Sequence, residues 1–362
     1  MKNNSLDFFP PGSIIGIMGG GQLGRMTALA AANLGYRCHI YTDETDSPAA
    51  QVSATTTVAS YKNHEALTQF AKAVDLITYE FENIPLSSIT LLKNIKAIRP
   101  SPSILAISQH RGKEKEFAEQ HGVNVAPYKI IKKISDLESA IKTIGTPSVL
   151  KTCRFGYDGK GQIVINEPEE IHSAWNQLSS DDLVLEQFVE FEKEISIIIA
   201  RDTNHKTKAY QAAENNHVDH ILDATTVPAD ITDKTASMAA DIGLKLAESL
   251  DLIGLLAVEM FVMGDGTVVM NEIAPRPHNS GHWTQDGAQT SQFEQFVRAI
   301  TGQPLGGTKM IRPVKMQNLI GDAVKQLPSF FKNPNAKIHL YGKHEIRCGR
   351  KMGHVNILGS LD

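Results

Sequence analysis

Three cysteines, two tryptophans and no long apolar run are the first things this chain is short of. Cys38, Cys153 and Cys348 lie far apart, are odd in number and form no CxxC pair. That excludes a disulfide framework or a cysteine-rich zinc site and fits a reducing compartment. The N-terminal MKNNSLDFFPPG has no apolar core of signal-peptide length. The most apolar stretch, LIGLLAVEMFVM, is too short to span a bilayer and carries Glu259. A soluble, cytoplasmic protein without membrane partners is expected. Basic excess is missing too. The formal net charge of -4 argues against broad binding to nucleic acid, so an anionic ligand needs a local basic pocket. No Walker A loop, kinase signature, internal repeat or low-complexity segment occurs. What is present is 41% apolar residues in 362, enough for real cores in two or three domains.

The first hundred residues alternate strand and helix signals: SIIGIMG, then QLGRMTALAAANLG, RCHIYT, HEALTQFAKA, VDLITYEF, PLSSITLLKN and KAIRP. That alternation predicts an N-terminal doubly wound parallel sheet of Rossmann-like α/β character. One helical stretch, residues 103–122, follows. Beyond it come a strand PSVLK, the loop TCRFGYDGKGQ, a strand IVIN, and a helix from Glu167 to about Leu178. LVLEQFV and EKEISIIIA read as paired strands. TDKTASMAADIGLKLAESL reads as an amphipathic helix, LLAVEMFVMGDGTVVMNEIA as a β-hairpin turning at GDG, and SQFEQFVRAITG as a helix. RPVKMQNLI, AKIHLYG and HVNILG predict a small, mostly β C-terminal part.

Five segments carry chemistry. GGGQLG, with Gly19, Gly21 and Gly24 before a helix, fits G-x-G-x-x-G. It reads as a phosphate site, dinucleotide or other, with Asp43 near where a ribose acid would sit, or as a bare tight turn. GYDGKGQ places three glycines around Tyr157, Asp158 and Lys160, just after Lys151. A flap over phosphate oxygens or a flexible hairpin loop both fit. In the hairpin, Glu259 lies among apolar neighbours. Counting six residues outward from Asp265 reaches Glu259 on one side and Asn271 on the other, with Glu272 one further. A carboxylate there costs several kcal/mol unless paired or metal-bound. Two carboxylates and an amide make an all-oxygen site suited to Mg²⁺; a solvent-facing salt bridge is the plainer reading. Glu186 and Glu194 form an acidic edge between flap and hairpin. Glu80 and Glu82 end a strand in the first domain, where ligands bind in open α/β sheets or where a turn merely exposes acids. Arg347, Arg350, Lys351 and His354 cluster as an anion pocket or a solvated basic turn. Cys153 has no histidine near it in sequence and is not expected to act as a nucleophile. Trp175 and Trp283 read as packing residues.

The order of an α/β domain, lysine, glycine flap, E-Q-x-x and hairpin carboxylates resembles the ATP-grasp superfamily. NEIAPRPHNSGHWT, with GGGQLGRM, YEFENIP, GYDGKGQ and RCGRKMGH, closely resembles its 5-(carboxyamino)imidazole ribonucleotide synthase (PurK-type) branch, from about Ser13 to Ile357. The resemblance implies a pre-ATP-grasp domain at 1–103, an ATP-grasp domain at 104–304 (flap-bearing part about 123–190, metal-binding part about 191–304) and a C-terminal domain at 305–362. It implies ATP- and Mg²⁺-dependent carboxylation of aminoimidazole ribonucleotide by bicarbonate, through carboxyphosphate, in purine biosynthesis, and a homodimer. Arg111 and Lys151 would contact ATP phosphates, with Gly156, Tyr157, Asp158, Gly159, Lys160, Gly161 and Gln162 closing over them. Glu186, Gln187, Phe188 and Val189 would border adenine, Glu194 the ribose, and His217 the nucleotide side. Glu259 and Glu272 would hold Mg²⁺ beside Asn271. Gly20, Gln22, Leu23, Glu80, Arg276, His278, Asn279, Arg347, Arg350 and Lys351 would face the ribonucleotide. Asp158, Arg276, Lys351, Tyr157 and His278 would be catalytic, Arg276 on bicarbonate or carboxyphosphate and Asp158 on the amine. Lys160 departs from the arginine common in that branch. A formate-dependent glycinamide ribonucleotide transformylase is the alternative within the superfamily. A nicotinamide-binding module using Gly19–Gly24 and Asp43 without Mg²⁺ is the alternative outside it.

Overall fold

The computed structural model of the chain describes residues 8–156, 159–178 and 180–360. The N-terminal sheet is parallel throughout. It holds β1 (Ile14–Met18), β2 (Arg37–Thr42), β3 (Thr55–Val58) and β4 (Leu76–Tyr79) in the order β3-β2-β1-β4. Strands β1, β2 and β4 are runs of buried residues because helices cover the faces of a parallel sheet. The segment KAIRP, expected as a strand, contributes only a single parallel bridge, Ile77 to Ile98. The stretch 103–122, expected as one helix, is two: Pro102–Ser108 and Arg111–Gln120. His110 separates them; its ring nitrogen accepts the Lys113 amide at 3.3 Å and starts the second helix. Gln109, at the break, donates to the carbonyls of Glu82 and Ile84 at 2.5 and 2.7 Å.

A second, antiparallel sheet follows. Strands β5 (Tyr128–Ile131), β6 (Ser148–Thr152), β7 (Gln162–Ile165) and β8 (Leu183–Gln187) lie in the order β5-β8-β6-β7. Helices Ile134–Ile144 and Ile171–Leu178 supply its own small core with Ile131, Leu150 and Leu185. The large sheet has nine strands. These are β9 (Lys193–Arg201), β10 (Thr207–Ala209), β11 (Ala213–Val218), β12 (Ile221–Val227), β13 (Gly254–Val262), β14 (Val268–Ala274), β15 (Val314–Ile320), β16 (Ala336–Leu340) and β17 (Lys351–Leu358). The main order is β14-β13-β9-β11-β12-β15-β17-β16, with β10 on β9. The long helix Asp233–Ser249 packs Ala239, Leu246 and Ala247 against Ile197, Ile199 and Val258.

LVLEQFV and EKEISIIIA were expected to pair, and they do not. β8 belongs to the small sheet and β9 to the large one. Each strand satisfies its apolar side chains in a different core, so residues 188–192 cross between two bodies rather than turn a hairpin. The C-terminal strands extend the central sheet through the β12–β15 ladder. No helix among the described residues is long and apolar enough to cross a membrane.

Candidate active site

The hairpin β13–β14 brings the central carboxylates together. Its ladder runs Val262 to Val268, Phe261 to Val269 and Met260 to Met270, then resumes with Glu259 opposite Glu272. Asn271 is the extra residue of a β-bulge, and that single insertion moves Glu272 into register with Glu259. Glu259 is 8% exposed. Burial, and then repulsion from Glu272 and Glu194, pushes its carboxyl well above the usual range. Burial also works against ionised Glu272, but Arg111, 3.0 Å away, overcomes it and holds that carboxyl below its usual value. Two facing carboxylates of which one resists ionisation suit a shared divalent cation. Hard carboxylate oxygens fit a divalent cation such as Mg²⁺.

A cationic cradle lies beside this pair. Lys151, next to the last residue of β6, donates to Glu186 on β8 at 3.0 Å. Lys115 reaches the same Glu186 oxygen at 3.2 Å. Burial alone would raise the Glu186 carboxyl; the two ammonium groups outweigh it and hold it at about 2. Burial lowers Lys151, and Lys115 and Arg111 reinforce this while Glu186 opposes it. Arg111 also donates to the Gly156 carbonyl at 3.5 Å, at the root of the flap. Gly159 and Gly161 take positive φ of 75° and 72°, where a side chain would be strained. Tyr157 and Asp158, expected in the flap, lie outside the described residues. Lys160 and Gln162 flank Gly161, and Gln162 opens β7. Beyond Gln187, Phe188 is 40% exposed, and Val189 follows it in the crossing segment. Across that segment Glu194 pairs with His217 at 2.9 Å, from neighbouring strands β9 and β11.

The first domain meets the hairpin at a second set of contacts. Pairing of β1 with β4 sets Met18 beside Tyr79, so the next residue, Glu80, enters the glycine turn. Its carboxylate accepts the amides of Gly21 and, at 2.6 Å, Gly24. Burial raises it despite those bonds. The helix N-terminus that reads as a phosphate or dinucleotide site therefore already has an internal carboxylate on two of its amides. A side chain on Gly20 would strike Ser47, Gln22 opens the helix, and Leu23 packs by Met26, Phe293 and Tyr341. Glu82 binds Arg276 at 2.8 Å, joining the end of β4 to the residues after β14. His278 lies 3.4 Å from Glu259 and bonds Ser280 through its other nitrogen at 2.9 Å. Burial, with Arg276 and Lys351 near, keeps it well below its ordinary value. Asn279 and Asn318 exchange hydrogen bonds at 3.1 and 2.6 Å.

The loop before β17 folds back on the first domain. Gln51 donates to Gly342 at 2.9 Å, and His344 pairs with Asp46 at 2.7 Å. This loop delivers Arg350 and Lys351, and also Lys343, which lies outside the basic segment 346–354. Burial, and then Arg350, lowers the Lys343 ammonium to about 8, while Glu80 opposes. Arg347 pairs with exposed Glu345, and Arg350 donates to the Glu345 carbonyl at 3.0 Å.

His354 was grouped with this basic loop, but the fold takes it elsewhere. Its ring stacks on His339 at 4.6 Å and lies 4.7 Å from His282. Its Nδ1 meets the Tyr341 hydroxyl at 2.8 Å. Burial, then His282 and His339, holds it well below its ordinary value. The folded protein therefore keeps His354 neutral where the unfolded chain gains a proton below a pKa of about 6.5. Stability from this residue is present above that pH and is lost as pH falls through it. Glu80, Glu114 and Glu259 shift in the opposite sense, so a variant isolates the effect. Between pH 7.5 and 5.5, His354→Gln should lose less stability than the parent, measured by urea unfolding.

The fold brings Cys153 a histidine that lies far from it in sequence. His110, Cys153 and Asp182 hold their polar atoms within 4.8 Å of one another. Burial and Asp182 push the thiol up to about 12, so it is not a thiolate nucleophile. Trp283 is fully buried against Tyr210, as a packing residue should be.

A ribonucleotide synthetase preATP-grasp domain matches residues 13–109 and an ATP-grasp domain residues 116–293. A phosphoribosylaminoimidazole carboxylase C-terminal domain matches 315–361. The N5-carboxyaminoimidazole ribonucleotide synthase of Bacillus subtilis is 44% identical over 96% of this chain and 92% of its own. The ADP complex of an N5-carboxyaminoimidazole ribonucleotide synthetase superposes with a TM-score of 0.95 at 43% identity, covering 98% and 94% of the two chains. The Aspergillus clavatus N5-carboxyaminoimidazole synthase, crystallised with ADP and 5-aminoimidazole ribonucleotide, gives a TM-score of 0.91 at 29% identity over 96% and 94%.

Proposed function

Because this chain belongs to the N5-carboxyaminoimidazole ribonucleotide synthase family of ATP-grasp ligases, we propose that its site joins bicarbonate to the amine of 5-aminoimidazole ribonucleotide at the expense of ATP. The observation that carries the reading is Glu259 facing Glu272 at the edge of the Arg111–Lys151–Glu186 cradle. We place the domain boundaries at 103/104 and 304/305, and expect a cytoplasmic homodimer from the likeness to the family.

Bicarbonate is a poor electrophile. An oxygen of bicarbonate attacks the γ-phosphorus, ADP leaves, and carboxyphosphate results. The exocyclic amine then attacks the carboxyl carbon, or CO₂ released from it, while phosphate leaves and the amine loses a proton. Catalysis of this kind is positioning and charge neutralisation. Lys151 and Arg111 neutralise phosphate oxygens, and Gly156 to Gln162 closes over them. Glu186 to Val189 borders the adenine, and Glu194, held by His217, meets the ribose. Glu259 and Glu272 with Asn271 would hold Mg²⁺, which when bound would supply positive charge against the developing phosphate charge. Arg276, kept in place by Glu82, orients bicarbonate. Gly20, Gln22, Leu23, Glu80, His278, Asn279, Arg347, Arg350 and Lys351 receive the ribonucleotide, Tyr157 and Asp158 meet its reacting end, and Lys343 adds a further cation. The formate-using alternative is not favoured, since relatives covering nearly the whole chain are carboxylating synthases.

The test is ADP release from MgATP in degassed buffer. Release that requires both 5-aminoimidazole ribonucleotide and added bicarbonate is expected. ATP hydrolysis indifferent to both would overturn the reading.

A further inference from the structure

We propose that Glu114 and Lys115 are positioning residues that lock the bulge of the metal-binding strand and tie it to the nucleotide cradle. The proposal rests on the reading of Glu259 and Glu272 as the Mg²⁺ carboxylates. The helix Arg111–Gln120 presents Arg111, Glu114 and Lys115 at i, i+3 and i+4, which is one helical face. That face engages three successive residues of β14. Lys115 donates to the Asn271 carbonyl at 3.4 Å, Arg111 binds the Glu272 carboxylate at 3.0 Å, and Glu114 accepts the Ile273 amide at 2.5 Å.

β14 is the edge strand of its sheet, and on its outer side the chain pairs with it only through an isolated parallel bridge from Val125 to Met270. One residue earlier, the Met270 amide is satisfied by the Asn124 carbonyl at 2.8 Å. At the bulge itself side chains take over. Glu114 and Lys115 supply the acceptor and donor that a strand would have supplied. Both are deeply buried, at 3% and 1% exposure, which is rare for charged residues without partners. A slip of the bulge by one residue would put Asn271 opposite Glu259 and turn Glu272 to the other face. Lys115 also grips Glu186 on β8, so the same ammonium joins the strand that carries the metal carboxylate to the strand that borders the nucleotide.

The experiment measures Mn²⁺ binding with ADP present, by loss of the free-ion EPR signal, together with the Mg²⁺ dependence of turnover. Glu114→Ala and Lys115→Met are compared with Glu114→Gln, which keeps an acceptor oxygen. Outer residues that orient metal ligands typically change affinity by about 10–100-fold. A rise of that size in the half-saturating Mn²⁺ and Mg²⁺ for Glu114→Ala and Lys115→Met, with Glu114→Gln within about threefold of the parent, is expected. Metal dependence within twofold of the parent in folded Glu114→Ala or Lys115→Met, whatever the change in melting temperature, would overturn the proposal. Where Glu114→Ala fails to fold, Lys115→Met decides alone, because Glu186 keeps Lys151. Glu259→Gln is the control for the underlying reading. Mn²⁺ binding that survives Glu259→Gln defeats that reading, whereas loss there with none in Lys115→Met defeats only the positioning roles.

Discussion

Glu259→Gln should leave the protein folded and nearly inactive, while Glu272→Gln should be inactive and less stable as well. The difference comes from how the fold treats two carboxylates that face each other across one ladder. Glu259 is buried, faces Glu272 and Glu194, and is held well above its usual range. A glutamine amide therefore resembles the form the fold prefers, and its melting temperature should be unchanged or higher. Glu272 is held ionised by Arg111. Its replacement leaves a guanidinium short of its counter-charge. The Glu272 side chain is 37% exposed, so water screens the pair and the loss should be only about 1 kcal/mol. Activity is another matter. A bound cation would draw both carboxyls into their ionised form, so either change removes a negative ligand that the loaded site would need, where charge placement dominates phosphoryl transfer. A drop in kcat/KM on the order of 10³, about 4 kcal/mol of transition-state stabilisation, is expected for each. Steady-state ADP release and thermal unfolding of the two variants check both halves. A Glu259→Gln protein that keeps a tenth of the parent activity would remove that residue from the metal site.

The hairpin itself was legible from sequence: an apolar run, a GDG turn and a second apolar run leave few alternatives. The bulge was not, because nothing local in TVVMNEIA tells Asn271 from its neighbours. Its placement depends on side chains of a helix 156 or more residues earlier in the chain. That helix, RGKEKEFAEQ, carries six charged residues in ten, and nothing local marks Glu114 and Lys115 as the ones the fold buries. Burial turned a surface-looking lysine into the partner of Glu186, and only tertiary pairing reveals it. The glycine turn shows the converse. Its role as a strand-to-helix corner was evident, but the occupant of its amides follows from the β1–β4 register, which delivers Glu80. AENNHV and ILDATTV escaped as strands because polar residues interrupt both, and His217 was therefore reached through family resemblance alone. The pairing expected between residues 183–189 and 192–200 failed for a related reason. Both runs are apolar enough for a core, and sequence does not say that there are two cores.

Glu186→Ala should be the most destabilising change in the site. One oxygen of Glu186 serves Lys115 at 3.2 Å and Lys151 at 3.0 Å, and the side chains of all three are largely or wholly buried. The carboxyl sits at about 2 in the fold against about 4.5 for an ordinary glutamate. Because the folded value is the lower one, the stabilisation is present above the unfolded pKa and is lost as pH falls from about 4.5 to 2. The difference corresponds to about 3 kcal/mol. Alanine removes the charge but leaves two ammonium groups together, and breaking a buried pair in this way typically costs about 3–5 kcal/mol. Lys115→Met should cost less, since Glu186 and Lys151 still neutralise each other. The double variant Lys115→Met/Glu186→Gln should lose less than the sum of the single changes, because each single change leaves a charge that the double one removes. Function should follow the same logic. Without Glu186, burial and Arg111 lower the Lys151 ammonium further, which weakens the cation offered to ATP and raises KM for the nucleotide. Urea unfolding at pH 7.5 measures the stability terms. A loss below about 1 kcal/mol for Glu186→Ala, or strict additivity in the double variant, would show that the three charges do not act as one buried unit.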